Sequence, residues 1–212
     1  MCGSIDAFQE PHFDPPKYSL AVSANQSSTD ILRSSSFIQL DERLAWILPR
    51  IQEVTSCLNL VHLHKAPVHP TTLREAITSL QYALISSQPI GESSIHEILR
   101  FCLIMYLVTI LNEFPRGAST FAMLGEKLIS TLGKLRLSDS FEPEFVLWMM
   151  FIAASIIDKP KIKAYFLAGV VDAMQLLNVS SWEEIEMIFK SFFWADKIHA
   201  ASFGIVWREL NY

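Results

Sequence analysis

From Phe37 onward the apolar residues recur at helical spacing. No run of strict alternation and no Asn-Gly or Asp-Gly hairpin signal interrupts that pattern, so the chain is expected to be all-α. Three helix starts carry a hydroxyl residue followed three positions later by Glu: Thr72 with Glu75, Ser94 with Glu97, and Ser181 with Glu184. In each the two side chains can cap one another's free backbone N–H groups. The segments they introduce carry Leu73, Ile77, Leu80 and Leu84, then Ile95, Leu99, Cys102, Met105 and Tyr106, then Trp182, Ile185, Ile188, Phe189, Phe192 and Phe193. Further helices are expected over 40–61, 119–136, 142–157 and 161–177. Breaks fall at Pro67 and Pro70, Pro89-Ile90-Gly91, Pro115-Arg116-Gly117, Ser138-Asp139-Ser140, Asp158-Lys159-Pro160 and Asn178-Val179-Ser180. The result is a compact bundle of about seven or eight helices over residues 37–212. The helix near 94–114 is apolar nearly all round and should be central. Segment 181–199 is amphipathic and should lie on the surface, with Glu186 four residues before Lys190 for an ion pair.

Residues 1–36 read differently. Pro11, Pro15, Pro16, the run Asn25 to Thr29 and Ser34-Ser35-Ser36 leave too few clustered apolar groups to offset chain entropy, so a disordered leader is expected. The whole chain of 212 residues is half apolar and 18% charged, outside the range of a fully disordered protein. Seventeen basic against 22 acidic residues give a net charge of −5, which provides no global attraction for a phosphate backbone. Cys2, Cys57 and Cys102 are scattered and encode neither a disulfide framework nor a zinc module. The start has no basic region followed by an apolar one, so no secretory signal is expected, and the chain reads as intracellular. The sequons at Asn25 and Asn178 are then chance matches. The apolar runs Phe101–Leu111 and Phe145–Ile157 fall short of the ~20 residues a membrane span needs, and both are read as buried core helices.

Candidate chemistry is sparse. His62, His64 and His69 lie within eight residues, but no cysteine pair or carboxylate accompanies them and Pro67 breaks their register. His96-Glu97-Ile98-Leu99-Arg100 begins like a zinc-protease helix, yet Arg100 stands where a second His would be needed and a cation cannot ligate zinc. Ser119 lacks the second glycine of a nucleophile elbow and is expected to cap a helix. Gly125-Glu126-Lys127 lacks the earlier glycine of a phosphate loop, since Thr120 stands there. The acidic pairs Glu142 with Glu144 and Glu183 with Glu184 suit the positive ends of helices. Lys159, Lys161 and Lys163, with Lys134 and Arg136, form the best basic cluster, which reads as a solvated turn rather than a phosphate site or import signal. No catalytic residue, cofactor site or metal site is assigned.

The stretch Trp182 to Lys197, with its aromatic triplet Phe192-Phe193-Trp194 and Asp196 just beyond, followed by Trp207-Arg208-Glu209-Leu210, resembles the end of the fungal-specific transcription factor domain. That domain is the all-helical regulatory region of fungal binuclear zinc-cluster activators. Glu144 to Trp148, Ala153-Ala154, and Lys163 to Phe166 resemble two of its upstream helices. The likeness extends over about 90–212 and less strongly over 37–89. It implies a transcription regulator in the nucleus, acting through contacts with other transcription factors or regulatory proteins, among them a full-length paralogue. It implies no enzyme activity, no membrane partner and an optional small-molecule effector. The six-cysteine, two-zinc DNA-binding head and basic linker of the family have no counterpart in this sequence, so no direct DNA binding is expected of it. The competing expectation is a helical small-molecule-binding protein or enzyme with an apolar pocket, favoured by the richness in Phe, Met and Trp.

Overall fold

A computed structural model describes residues 42–63, 68–87, 94–111, 118–135 and 141–210. The expected leader 1–36 lies outside these residues, as do Cys2, His64, Pro67 and Arg136. Eight helices and no strands are present among the described residues. They are α1 Glu42–His62, α2 Pro70–Ser86, α3 Ser94–Leu111, α4 Ser119–Leu132, α5 Pro143–Ile156, α6 Pro160–Leu177, α7 Trp182–Lys190 and α8 Asp196–Leu210.

Local chemistry explains most of the boundaries. Proline opens α2, α5 and α6, where its missing N–H removes a donor that would have no partner in a first turn. The Ser181–Glu184 box forms as expected: Ser181 Oγ accepts from the Glu184 N–H at 3.3 Å, and Glu184 Oε2 accepts from the Ser181 N–H at 3.0 Å. Asn178 ends α6 in the left-handed conformation (φ 52°, ψ 40°), which Asn tolerates better than most residues. The Glu186–Lys190 pair closes at 2.8 Å.

Three local expectations need correction. The helix assigned to Thr72 starts earlier, at Pro70, and its cap is His69, whose Nδ1 accepts from the Thr71 N–H. Ser119 is the first helical residue of α4 rather than its cap, which is Ala118 and forms no side-chain cap bond. The segment read as one helix from 181 to 199 is two, α7 and α8, separated by Ser191–Ala195. The break lets Phe192, Phe193 and Trp194 all turn into the interior, which three successive positions of a surface helix with a single inward face could not do.

The core is one continuous cluster drawing on all eight helices. Helix α3 lies at its centre as expected, packing against α2, α4, α5 and α8. With Ser94–Arg100 added to the apolar run, α3 is long and apolar enough to cross a membrane, so the length argument made on Phe101–Leu111 alone does not hold for the whole helix. In this fold its apolar side chains from Ile98 to Leu107 are instead buried within the protein. Helices α5 and α6 form the most extensive pairing in the molecule. Gly169 permits their close approach, because a Cβ there would fall 2.8 Å from Met150 Sδ.

Candidate functional site

The centre of the molecule is aromatic, with polar groups threaded through it. Trp148 of α5 is 6.0 Å from both Phe192 and Phe193 and 5.9 Å from Tyr106 of α3, measured between ring centroids. Its indole N–H donates to the Phe193 carbonyl at 3.4 Å. Tyr106 lies 5.2 Å from His199 of α8, which also contacts Trp194 at 5.4 Å and Phe203 at 5.2 Å. Each of these rings is at least 96% buried, a degree of enclosure at which an unpaired polar atom is costly.

The proton positions follow from the donors available. Thr55 Oγ1 donates to the Ile51 carbonyl at 2.8 Å, so the Tyr106 hydroxyl, 2.6 Å away, donates to Thr55. Thr109 Oγ1 donates to the Tyr106 carbonyl at 2.6 Å, which leaves it to accept from His199 Nε2 at 3.0 Å. His199 Nδ1 accepts from the Ala195 N–H at 2.9 Å. The imidazole is therefore neutral, with its proton on Nε2, and burial lowers its pKa to about 3. Burial likewise raises the Tyr106 hydroxyl and the Cys102 and Cys57 thiols above their ordinary values, the opposite of what an activated nucleophile needs. Asn59 completes the arrangement: its Nδ2 donates to the Trp194 carbonyl at 2.8 Å and its Oδ1 accepts from the Asp196 N–H at 3.0 Å. Four buried side-chain atoms, Gln52 Oε1, His62 Nε2, Arg100 Nε and Trp194 Nε1, have no hydrogen-bond partner among the described residues.

The candidate residues read from the sequence are dispersed. His62 ends α1 and His69 caps α2. Among the described residues no group of three or more His, Cys, Asp or Glu could hold a metal ion. Arg100, which stands in place of a second zinc-binding His, reaches the Leu84 carbonyl at the end of α2 and lies 5.0 Å above the Phe101 ring. A cation suits that helix C-terminus. Gly125 lies in α4 against the α5–α6 turn, where a Cβ would come 2.6 Å from Ile157 Cδ1, and Glu126 beside it pairs with Lys159 at 2.9 Å. Lys163 pairs with Glu209 at 2.7 Å, so two of the three lysines around 159–163 are engaged within the protein. Glu142 and Glu144 flank the start of α5, and Glu184 is held below the ordinary carboxylate range by the N–H groups of Ser180 and Ser181.

A surface groove of about 430 Å³ runs between the end of α6 and α8, lined by Val171, Met174, Gln175, Asn178, Trp207 and Leu210. It is open to solvent and lies apart from the His199 network.

His199, Thr55, Thr109 and Asn59 were not singled out from the sequence, and Tyr106 was read only as part of an apolar helix face. The available signal was a lone imidazole in an apolar setting, and it points to no partner, because Thr109 is 90 residues away. Compared with family models, curated proteins and solved structures, the chain matches none.

Proposed function

We propose that this chain is a regulatory, protein-interaction domain of the kind found in fungal zinc-cluster transcription factors, working in the nucleus through contacts with other regulatory proteins and performing no catalysis of its own. The observation that carries this reading is the convergence of the residues on which the resemblance rests. Trp182, which opens the matching stretch, and Trp207, which closes it, lie with ring centroids 6.3 Å apart. Glu209 of the closing motif binds Lys163 of the upstream one. Trp148 of the Leu-Trp motif packs on Phe192 and Phe193 of the aromatic triplet. Residues that converge in this way act as one unit, which supports reading the pattern as a domain signature rather than scattered coincidences.

A direct test fuses the full chain to a heterologous DNA-binding domain at a reporter promoter. Reporter output should change several-fold relative to the DNA-binding domain alone. An unchanged reporter, with the fusion folded and nuclear, would overturn the proposal. Sequence-specific duplex binding by the purified unfused chain would overturn its protein-contact mechanism. The groove at Trp207 favours a second reading, a small-molecule effector site, since its volume falls within the ~300–1,000 Å³ range of ligand pockets. A ligand retained through native purification and seen by native mass spectrometry would support that reading.

A further inference from the structure

The outer face of α6 is unusual for an exposed helix. Tyr165 is 39% exposed, Val171 40% and Leu176 73%, more large apolar side chains in the open than any other helix presents among the described residues. Ala164 and Ala168 are exposed between them. Four positions of this face, Lys161, Tyr165, Ala168 and Asp172, follow one another at i, i+4, i+7 and i+11 and form a single stripe. Unlike Lys159 and Lys163, neither Lys161 nor Asp172 has an ion-pair partner among the described residues.

The order of these four residues makes the stripe complementary to itself when run backwards. If a second α6 lies antiparallel with a two-fold axis between Tyr165 and Ala168, residues equally distant from the axis face each other. Lys161 then meets Asp172 of the other copy, and Tyr165 meets Ala168. The large ring is set against the small side chain and the cation against the anion, and the symmetry makes each contact twice. Alanine at the crossing lets two helices approach toward the ~8 Å lower end of helix-packing distances. Val171 carries the apolar face on into the groove beside Trp207.

We infer that this face of α6 is a homodimer interface, occupied by α6 of a second copy of the chain in antiparallel orientation. One helix pair makes an interface below the standard ~1,600 Å² size, so a reversible dimer with a dissociation constant on the order of tens of micromolar is expected. This inference is independent of the proposed regulatory role. Sedimentation velocity on the full chain over roughly 5–500 µM tests it. The mass should rise toward that of a dimer. Ala168→Arg should hold the chain monomeric while leaving its circular dichroism and melting temperature unchanged. Lys161→Glu and Asp172→Lys should each weaken association roughly tenfold, since each substitution places two like-charge contacts across the axis, and the double variant should restore it. A chain monomeric throughout, a dimer indifferent to Ala168→Arg, or single charge variants that the double variant fails to rescue would each overturn the proposal.

Discussion

The interior around His199 and the outer face of α6 depart from the usual partition of side chains in opposite directions. The interior holds an imidazole, a phenol and two threonine hydroxyls. The surface of α6 displays a tyrosine, a valine and a leucine. Inside, the polar side chains are tolerated because nearly every donor meets an acceptor, and those bonds tie α1, α3 and α8 together across long stretches of sequence. Outside, the apolar groups have no such internal answer. The first region is held by contacts already made, and the second is defined by contacts still available.

Substitutions should separate the two regions by size of effect. Trp148→Ala, in the centre of the aromatic cluster, should cost about 3–5 kcal/mol in chemical denaturation, through lost burial and the cavity left behind. His199 gives the interior a pH signature. Its folded pKa of about 3 lies below its ordinary value of 6.5, so its contribution is fully present above pH 6.5 and is lost as pH falls, because the unfolded chain takes up a proton that the folded chain refuses. Wild-type stability should therefore decline between pH 6.5 and 3 by up to roughly 1.4 kcal/mol per pH unit from this group, and His199→Gln should remove that part of the slope. Ser181→Ala, which breaks the α7 capping box at the boundary between the two regions, should lower stability by about 1 kcal/mol, readable as a shift in denaturation midpoint. Leu176→Ser on the outer face should change the stability of the monomer by less than about 0.5 kcal/mol. A large loss there at low protein concentration would show that α6 is held inside the monomer in a way its exposure does not reveal.

The same contrast decides what could be read from the sequence. The Ser181–Glu184 cap, the Glu186–Lys190 pair and the centrality of α3 depend on neighbours a few positions apart or on uniform apolarity, and all were legible. The start of α2 was misplaced because His69, an uncommon cap, displaced the more familiar Thr72. The break between α7 and α8 was hidden because Phe192, Phe193 and Trp194 extend the helical apolar rhythm with no glycine or proline to interrupt it. Their burial against Trp148, Phe145 and Phe189 overrides local preference. The His199 network was invisible for a related reason. The bonds that tie its helices together, Thr55 to Tyr106, Thr109 to His199 and Asn59 to Trp194, join residues whose separation in the chain is unrelated to any helical period.

The turn Ser191–Ala195 also has a consequence for the order in which the molecule is made. Its aromatic side chains complete the packing around α3 and α5, yet they leave the ribosome after both. Until Phe192, Phe193 and Trp194 emerge, the nascent chain must hold two strongly apolar helices with their central surface uncovered. A chain that stalls or is cut before this point exposes that surface to chaperones and proteases. The turn and α8 therefore act as a late check during synthesis, because the surface shared by α3 and α5 is covered only once they have emerged.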